Sequence, residues 1–264
     1  MLNLKVVNAI TDLGKTKRGG SSSRFIECDD GKEYVVKFTT IQGPKLFLNE
    51  FIGTFTSKLL SCSTPDLVLV KFNQAFIESF PEFNTQNLKK GVYPGIERIG
   101  NAFDLCTNPK LPSDIHNVDS LIPMIVYDNW VVNIDRNNCG NLILANNDGM
   151  NKIYQIDNGH IFGGPSWDEN KLKKLVEVKV LQPILPAISE YVKNGMKMLQ
   201  SIKKLENISP ESIMEILANI PEEWQHSDAE KNAVKETLLQ RKKIVGSVVL
   251  DNKGKFKNCS WEGI

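Results

Sequence analysis

Four polar residues at the margins of apolar runs are the ones whose types and spacing suit chemistry. Lys37 stands in Tyr34-Val35-Val36-Lys37-Phe38, Asp135 and Asn141 share one polar stretch, and Asp157 follows Ile153-Tyr154-Gln155-Ile156. A lysine in such a run must reach a polar partner or a ligand, because burying an unpaired ammonium is very costly. The alternative is an edge-strand lysine that faces water. Residues 128–144 crowd polar side chains between an apolar helix and an apolar strand, where a simple turn needs only a few. Transfer of a γ-phosphoryl group asks for a cation to hold the phosphates, amide and carboxylate oxygens to hold magnesium, and a carboxylate aimed at the acceptor hydroxyl. On that reading Asp135 orients or deprotonates the acceptor, while Asn141 and Asp157 supply the hard oxygen ligands that magnesium prefers. Asp157-Asn158-Gly159 taken singly also reads as a plain turn. His160 reads as an interior or supporting side chain, and Cys139 as a free thiol without a role.

The elements that must hold these residues follow from periodicity and turn chemistry. Strands are predicted at Leu4–Ala9, Arg24–Cys28 and Glu33–Phe38, the last two joined by the hairpin signal Asp29-Asp30-Gly31. Between the first two lies the polar loop Lys15-Thr16-Lys17-Arg18-Gly19-Gly20-Ser21-Ser22-Ser23. Its glycines let backbone approach a ligand, and successive amides can form an anion-binding concavity. Gly19, Gly20, Ser21 and Ser22 are therefore candidate phosphate contacts, with a plain mobile connection as the alternative.

An amphipathic helix is expected from Pro44 to about Leu60, with Leu46, Phe47, Phe51, Phe55 and Leu59 recurring at three- and four-residue steps. It carries Glu50 beside its apolar stripe, where the carboxylate can pair with Lys37 or remain solvated. Further strands are predicted at Asp66–Phe72 and Gln74–Phe80, and the polar stretch Pro81–Gly100 marks a lobe boundary. A buried helix is expected over Ser120–Val132, then a strand pair, Asn141–Ala145 and Lys152–Ile156, across an Asn146–Gly149 turn. Helices follow at Glu169–Val180, Pro183–Leu205, Pro210–Ala218 and Asp228–Val245, with a last hairpin at Asp251–Gly254. A β-rich unit over residues 1–100 and a helical unit over 101–264 make an α+β protein with a ligand cleft between lobes.

Composition narrows the class. The 32 basic and 31 acidic side chains leave a net charge of +1, which gives no broad footprint for nucleic acid or a membrane surface. No stretch approaches the roughly 18 uninterrupted apolar residues of a membrane span, and the N-terminus lacks the order of a secretory signal. The cysteines at 28, 62, 106, 139 and 259 are scattered and odd in number, with no Cys-x-x-Cys pair. Neither zinc nor a disulfide framework is expected, and a reducing cytoplasm is the natural setting.

In combination, Tyr34-Val35-Val36-Lys37-Phe38, Asn49-Glu50, Asn133-Ile134-Asp135-Arg136, Asn141-Leu142-Ile143-Leu144 and Ile156-Asp157-Asn158-Gly159-His160-Ile161-Phe162 resemble the HipA-like kinases. These are distant relatives of protein kinases and phosphatidylinositol kinases. Ile220-Pro221-Glu222-Glu223-Trp224 and Leu238-Leu239-Gln240-Arg241 extend the similarity, which spans roughly Leu4 to Val245. The resemblance implies a two-lobed protein kinase-like fold with its active site in the cleft, and ATP and Mg2+ as cofactors. It also implies Lys37 as the phosphate-holding lysine, fixed by Glu50, Asp135 as catalytic base, and Asn141 with Asp157 as metal ligands. The implied activity is phosphorylation of serine or threonine in a protein substrate, as a toxin in some members. Small-molecule or lipid kinases on the same scaffold, and a nucleotide-binding pseudokinase, are the competing readings. Asn141 lies six residues after Asp135, one more than is usual in kinases, so Asn138 is a rival ligand. The glycine loop matches no strict kinase motif, and the extra N-terminal domain of full HipA toxins is expected to be missing.

Overall fold

Alternation of inward and outward side chains sets the first third of the chain. The structure, a computed structural model, describes residues 2, 4–16, 23–38, 43–80, 82–83, 88–106 and 111–261. Strands Val6–Lys15 (β1), Arg24–Cys28 (β2), Glu33–Val36 (β3), Leu67–Phe72 (β4) and Gly91–Glu97 (β5) close into a barrel in the order β1-β2-β3-β5-β4. In β1, Val7 and Ala9 face inward while Val6, Asn8 and Ile10 face out, the period of two that a half-buried strand requires. β1 runs parallel to β4, pairing Val6 with Leu69, and antiparallel to β2, with register shifts on either side of Thr11–Asp12. Where β5 crosses the interior, a Cβ at Gly95 would lie 2.5 Å from Val70 Cγ2, so only glycine fits between Val36 and Val70.

Helix Leu46–Leu59 (α1) packs against this barrel, burying Leu46, Phe47, Phe51, Ile52 and Phe55. The short helix Gln74–Ser79 (α2) follows β4. A second sheet, in the order β6-β7-β8, is formed by Ala102–Asp104 (β6), Leu142–Asn147 (β7) and Met150–Gln155 (β8). Between β6 and β7 runs helix Leu121–Val131 (α3), buried along almost its whole length. The remaining helices are Glu169–Leu175 (α4), Pro186–Ser189 (α5), Gly195–Glu206 (α6), Pro210–Ala218 (α7), Asp228–Arg241 (α8) and Val245–Asp251 (α9). They assemble around α3, which packs against α6, α8 and α9. Among the described residues no helix is long and apolar enough to cross a membrane.

Several sequence expectations change. The strand expected at Gln74–Phe80 is α2, because Asn73 caps it by accepting from Phe76 N–H at 2.8 Å, while Phe76 and Ile77 bury one side. The stretch Pro81–Gly100 contains β5, which hydrogen-bonds to both β3 and β4 and closes the barrel. The helix expected over Pro183–Leu205 is two helices, the second started by the Asn194 cap on Lys197 N–H. Glu169–Val180 stops at Leu175, and Asp228–Val245 stops at Arg241 and resumes at Val245. The tail at Asp251–Gly254 is no hairpin: α9 runs into a 3-10 turn at Lys253–Lys255.

The cysteine reading is also corrected. Cys106 and Cys139 form a disulfide, 33 residues apart in sequence. Antiparallel pairing of β6 with β7 sets Asp104 opposite Ile143, which carries the residue just after β6 to those just before β7. Sequence distance hid a pairing that sheet register creates. Cys28, Cys62 and Cys259 remain free and buried.

Candidate active site

The residue at the centre of the site is Lys37, one position beyond β3. Its backbone N–H donates to Pro94 O of β5, and its side chain is only 9% exposed. The ammonium donates to Glu50 of α1 and, at 2.8 Å, to Asp157 Oδ1. One cation thus serves two carboxylates brought from 13 and 120 residues away, and the edge-strand and solvated-helix alternatives are set aside.

Burial alone would pull Lys37 toward neutrality; Asp157 and Glu50 more than offset it and hold the lysine above its ordinary range. Burial likewise raises Glu50, which lies deepest and recovers only part of that penalty from Lys37. Asp157 resists its own burial through Lys37 and the Gly159 N–H, and stays well below the usual carboxylate range. Asp157 is therefore held in its charged form beside Lys37.

Asp157 adopts a left-handed backbone, φ +59, which aspartate tolerates better than most residues. That turn aims Asn158 N–H at Glu50 Oε2 (3.2 Å) and Gly159 N–H at Asp157 Oδ1 (3.2 Å). A Cβ at Gly159 would meet Leu46 Cδ1 at 2.6 Å, so the close approach of this loop to α1 depends on glycine. Asn49 fastens α1 to the same loop, donating to Gly159 O (2.8 Å) and Ile161 O (3.1 Å) and accepting from Trp167 Nε1 (2.8 Å).

The second half of the site grows from the end of α3. Val132 takes a left-handed conformation and ends the helix. Carbonyls left open there are taken up by Asn133 N–H on Asp128 O, Phe162 N–H on Val131 O and Gly163 N–H on Val132 O. In the loop beyond, Asn141 donates from Nδ2 to Asp135 Oδ2 (2.8 Å) and to Asp135 O (3.0 Å). The amide nitrogen is thereby committed, and the carbonyl oxygen is the Asn141 atom suited to a cation. Asn138 is exposed; its Oδ1 caps Gly140 N–H at 3.0 Å and its Nδ2 reaches Asp135 Oδ2 at 3.3 Å.

Two residues that sequence reasoning gave no role hold the halves together. Arg136, fully buried, pairs through Nε with Asp128 (3.0 Å) and donates from Nη1 to Asn141 O (2.9 Å) and Ile156 O (2.8 Å). Ile156 N–H donates to Asn141 O as well, so Asn141 and the residue before Asp157 are neighbours. Asp128 also accepts from Asn133 Nδ2 at 2.9 Å, and Asn133 Oδ1 accepts Asp135 N–H at 3.1 Å. Burial raises the Asp128 carboxyl even with Arg136 beside it, while Asp128 keeps Arg136 firmly cationic against its own burial. The sequence shows Asp128 and Arg136 eight residues apart in an apolar and amide-rich run that also holds Asp135, but not that the two are buried against each other. His160 is half-buried and its carbonyl accepts Ile134 N–H, a backbone role.

Lys37, Glu50, Asp135, Asn141 and Asp157 are thus placed within one connected network. Gly19, Gly20, Ser21 and Ser22 lie outside the described residues. The base of their loop is described: Thr16 N–H and Oγ1 donate to Ser23 O, and Arg24 pairs with Asp12 through Nε at 2.8 Å.

Known proteins resemble the chain in sequence family and in fold. The model of the HipA-like kinase family matches residues 10–252. Among solved structures, the Helicobacter pylori proinflammatory kinase CtkA superposes with a TM-score of 0.59 at 13% identity, covering 92% of this chain and 96% of CtkA. Hydra Fam20, determined with sugar, gives 0.53 at 13% identity, covering 98% and 90%. Among curated proteins none matches the sequence. At these identities the likeness establishes a kinase-like fold, with the helices and strands described above.

Proposed function

The chain belongs to the HipA-like kinase family, and on that footing we propose that it transfers the γ-phosphoryl group of ATP, with Mg2+, to a serine or threonine hydroxyl of a protein. The single observation that carries the reading is the Lys37 ammonium shared by Glu50 and Asp157, with Arg136 bonded to both Asn141 O and Ile156 O. Phosphoryl transfer depends on positioning and charge neutralisation more than on covalent chemistry. A lysine held by two carboxylates and a carboxylate fixed beside an amide supply both.

In this reading the barrel with α1 forms a nucleotide-binding lobe over residues 1–100, and residues 101–264 form the helical catalytic lobe. Lys37 holds phosphate oxygens, and Glu50 keeps its side chain directed at the cleft. Asp135, oriented by the Asn141 amide and by its own N–H on Asn133, accepts the proton of the acceptor hydroxyl. Among the described residues no three His, Cys, Asp or Glu side chains converge. A magnesium ion would instead use Asn141 Oδ1 and the Asp157 carboxylate, completed by water and phosphate, as that ion usually does. It would neutralise phosphate charge there. Asn141 is preferred to Asn138, whose oxygen is already engaged in capping Gly140. Gly19, Gly20, Ser21 and Ser22 would cover the phosphates.

The test is incubation with γ-labelled ATP and magnesium. Label on a generic protein substrate or on the chain itself is the expected outcome. Label confined to a small acceptor would move the assignment to a small-molecule kinase, and nucleotide binding without transfer would make the chain a binding module.

A further inference from the structure

The motif Ile220-Pro221-Glu222-Glu223-Trp224 has no part in the chemistry described so far, yet it reaches back to the barrel. Trp224, in the 3-10 turn Glu222–Trp224, is buried with its ring 5.7 Å from Phe47 and 5.9 Å from Phe51, both on α1. Its Nε1–H donates to Val92 O of β5 at 2.8 Å, and Glu223 Oε1 accepts Val92 N–H. Three residues on, Ser227 and Glu230 form the capping box of α8, and Glu230 pairs with Lys45 at the start of α1. One segment from the C-terminal half therefore grips α1 by two aromatic contacts and one ion pair, and β5 by two side-chain hydrogen bonds to the Val92 backbone, one to its carbonyl and one from its N–H.

That grip bears on Glu50. Phe47 and Phe51 sit on either side of it in sequence, so the turn of helix held by Trp224 is the turn that carries the carboxylate to Lys37. On its other face the same turn is tied to the 157–167 loop by Asn49 and by Lys45 N–H on Pro165 O. A rotation or outward slide of α1 would have to break all of these together.

We propose that Trp224 is a positioning residue: it locks α1 so that Glu50 keeps Lys37 directed at the nucleotide, and the lysine–glutamate pair is assembled by contacts internal to the chain. The proposal rests on the kinase reading for its effect on ATP, and on geometry alone for its effect on α1.

The test uses the full chain with Trp224→Ala, Trp224→Phe and Glu230→Gln. Two readouts separate the layers. Hydrogen exchange of the α1 amides, residues 46–59, reads the lock whatever the reaction; Trp224→Ala should speed it while leaving α3 protected. Steady-state phosphotransfer reads the consequence: KM for ATP should rise about tenfold or more, as misplacement by a fraction of an ångström to an ångström can cost that much. Trp224→Phe, which keeps an aromatic ring against Phe47 and Phe51, should recover most of that KM. A merely structural role would lower the folded fraction, and so apparent kcat, without moving KM. If Trp224→Ala does not fold, Glu230→Gln carries the test, since it keeps an oxygen for the Ser227 cap and removes only the charge facing Lys45; faster α1 exchange is expected there too. Unchanged α1 exchange in the variants that fold would overturn the lock. Faster exchange with wild-type KM would overturn its role in positioning Lys37. Absence of transfer by the wild-type chain would count against the kinase reading and leave the exchange result standing.

Discussion

Lys37 is asked to neutralise two carboxylates, and the cost of removing it falls on the one that cannot reach water. Glu50 is 1% exposed at its side chain while Asp157 is 32% exposed. Lys37→Met should therefore do two things at once. Nucleotide binding should weaken through the lost phosphate contact. Stability should drop by about 3–5 kcal/mol, the range for breaking a buried pair by removing one partner. Adding Glu50→Gln should return part of that stability without returning nucleotide affinity. Chemical denaturation of the two variants measures the first effect and nucleotide titration the second. Equal stability of Lys37→Met and wild type would mean that Glu50 is not held by charge. The candidate residues could be picked out in the sequence, because Lys37 and Asp157 stand at the ends of apolar runs and Asp135 in a polar stretch between an apolar helix and an apolar strand. Arg136 could not be placed in the same way: an arginine next to Asp135 looks like a surface residue until Asp128 is seen to lie one helix turn before the end of α3.

At the scale of elements, α1 is positioned by how closely it approaches the 157–167 loop. A Cβ at Gly53 would fall 2.4 Å from Asn158 Cβ, and Tyr127 OH donates to Gly53 O (3.0 Å) from α3. Gly53→Ala should cost about 1–3 kcal/mol by overpacking and should raise KM for ATP, since α1 must move away from the loop that anchors Glu50. Thermal melting and ATP kinetics check it; a variant with unchanged KM would show that α1 can shift without disturbing Lys37. Elements with strong local signals were legible, such as α7, which the sequence places at Pro210–Ala218 and which the structure shows capped by Ser209. So were the hairpin β2–β3 and the β7–β8 pair, turned by Asp148 and Gly149 in left-handed conformations. Those set by distant partners were not. β5 carries Gly91, Pro94 and Gly95, which read as a linker; its strand character comes from pairing with β3 and β4 on both sides. α2 has an apolar run too short for periodicity to distinguish helix from strand, and the Asn73 cap settles it.

At the scale of the whole molecule, three ties fix the site: the first joins the C-terminal half to α1 and β5, and the other two act within residues 101–264. They are the Trp224 grip on α1 and β5, the Arg136 bridge between Asn141 and Ile156, and the Cys106–Cys139 disulfide between the end of β6 and the loop that carries Asn141. The disulfide should contribute about 2–4 kcal/mol by restricting the unfolded chain. A dithiol reductant is expected to lower the melting temperature of the wild-type protein and leave that of Cys106→Ser unchanged; no shift in the wild type would contradict the pairing. The account as a whole stands on Asp135 acting at the acceptor while other residues hold the nucleotide. The most direct measurement compares wild type with Asp135→Asn in two assays on the same preparation: transfer from γ-labelled ATP with magnesium, and affinity for a non-hydrolysable ATP analogue. The expected result is loss of transfer by a factor of about 100 or more with affinity changed little. Transfer at the wild-type rate in Asp135→Asn would contradict it.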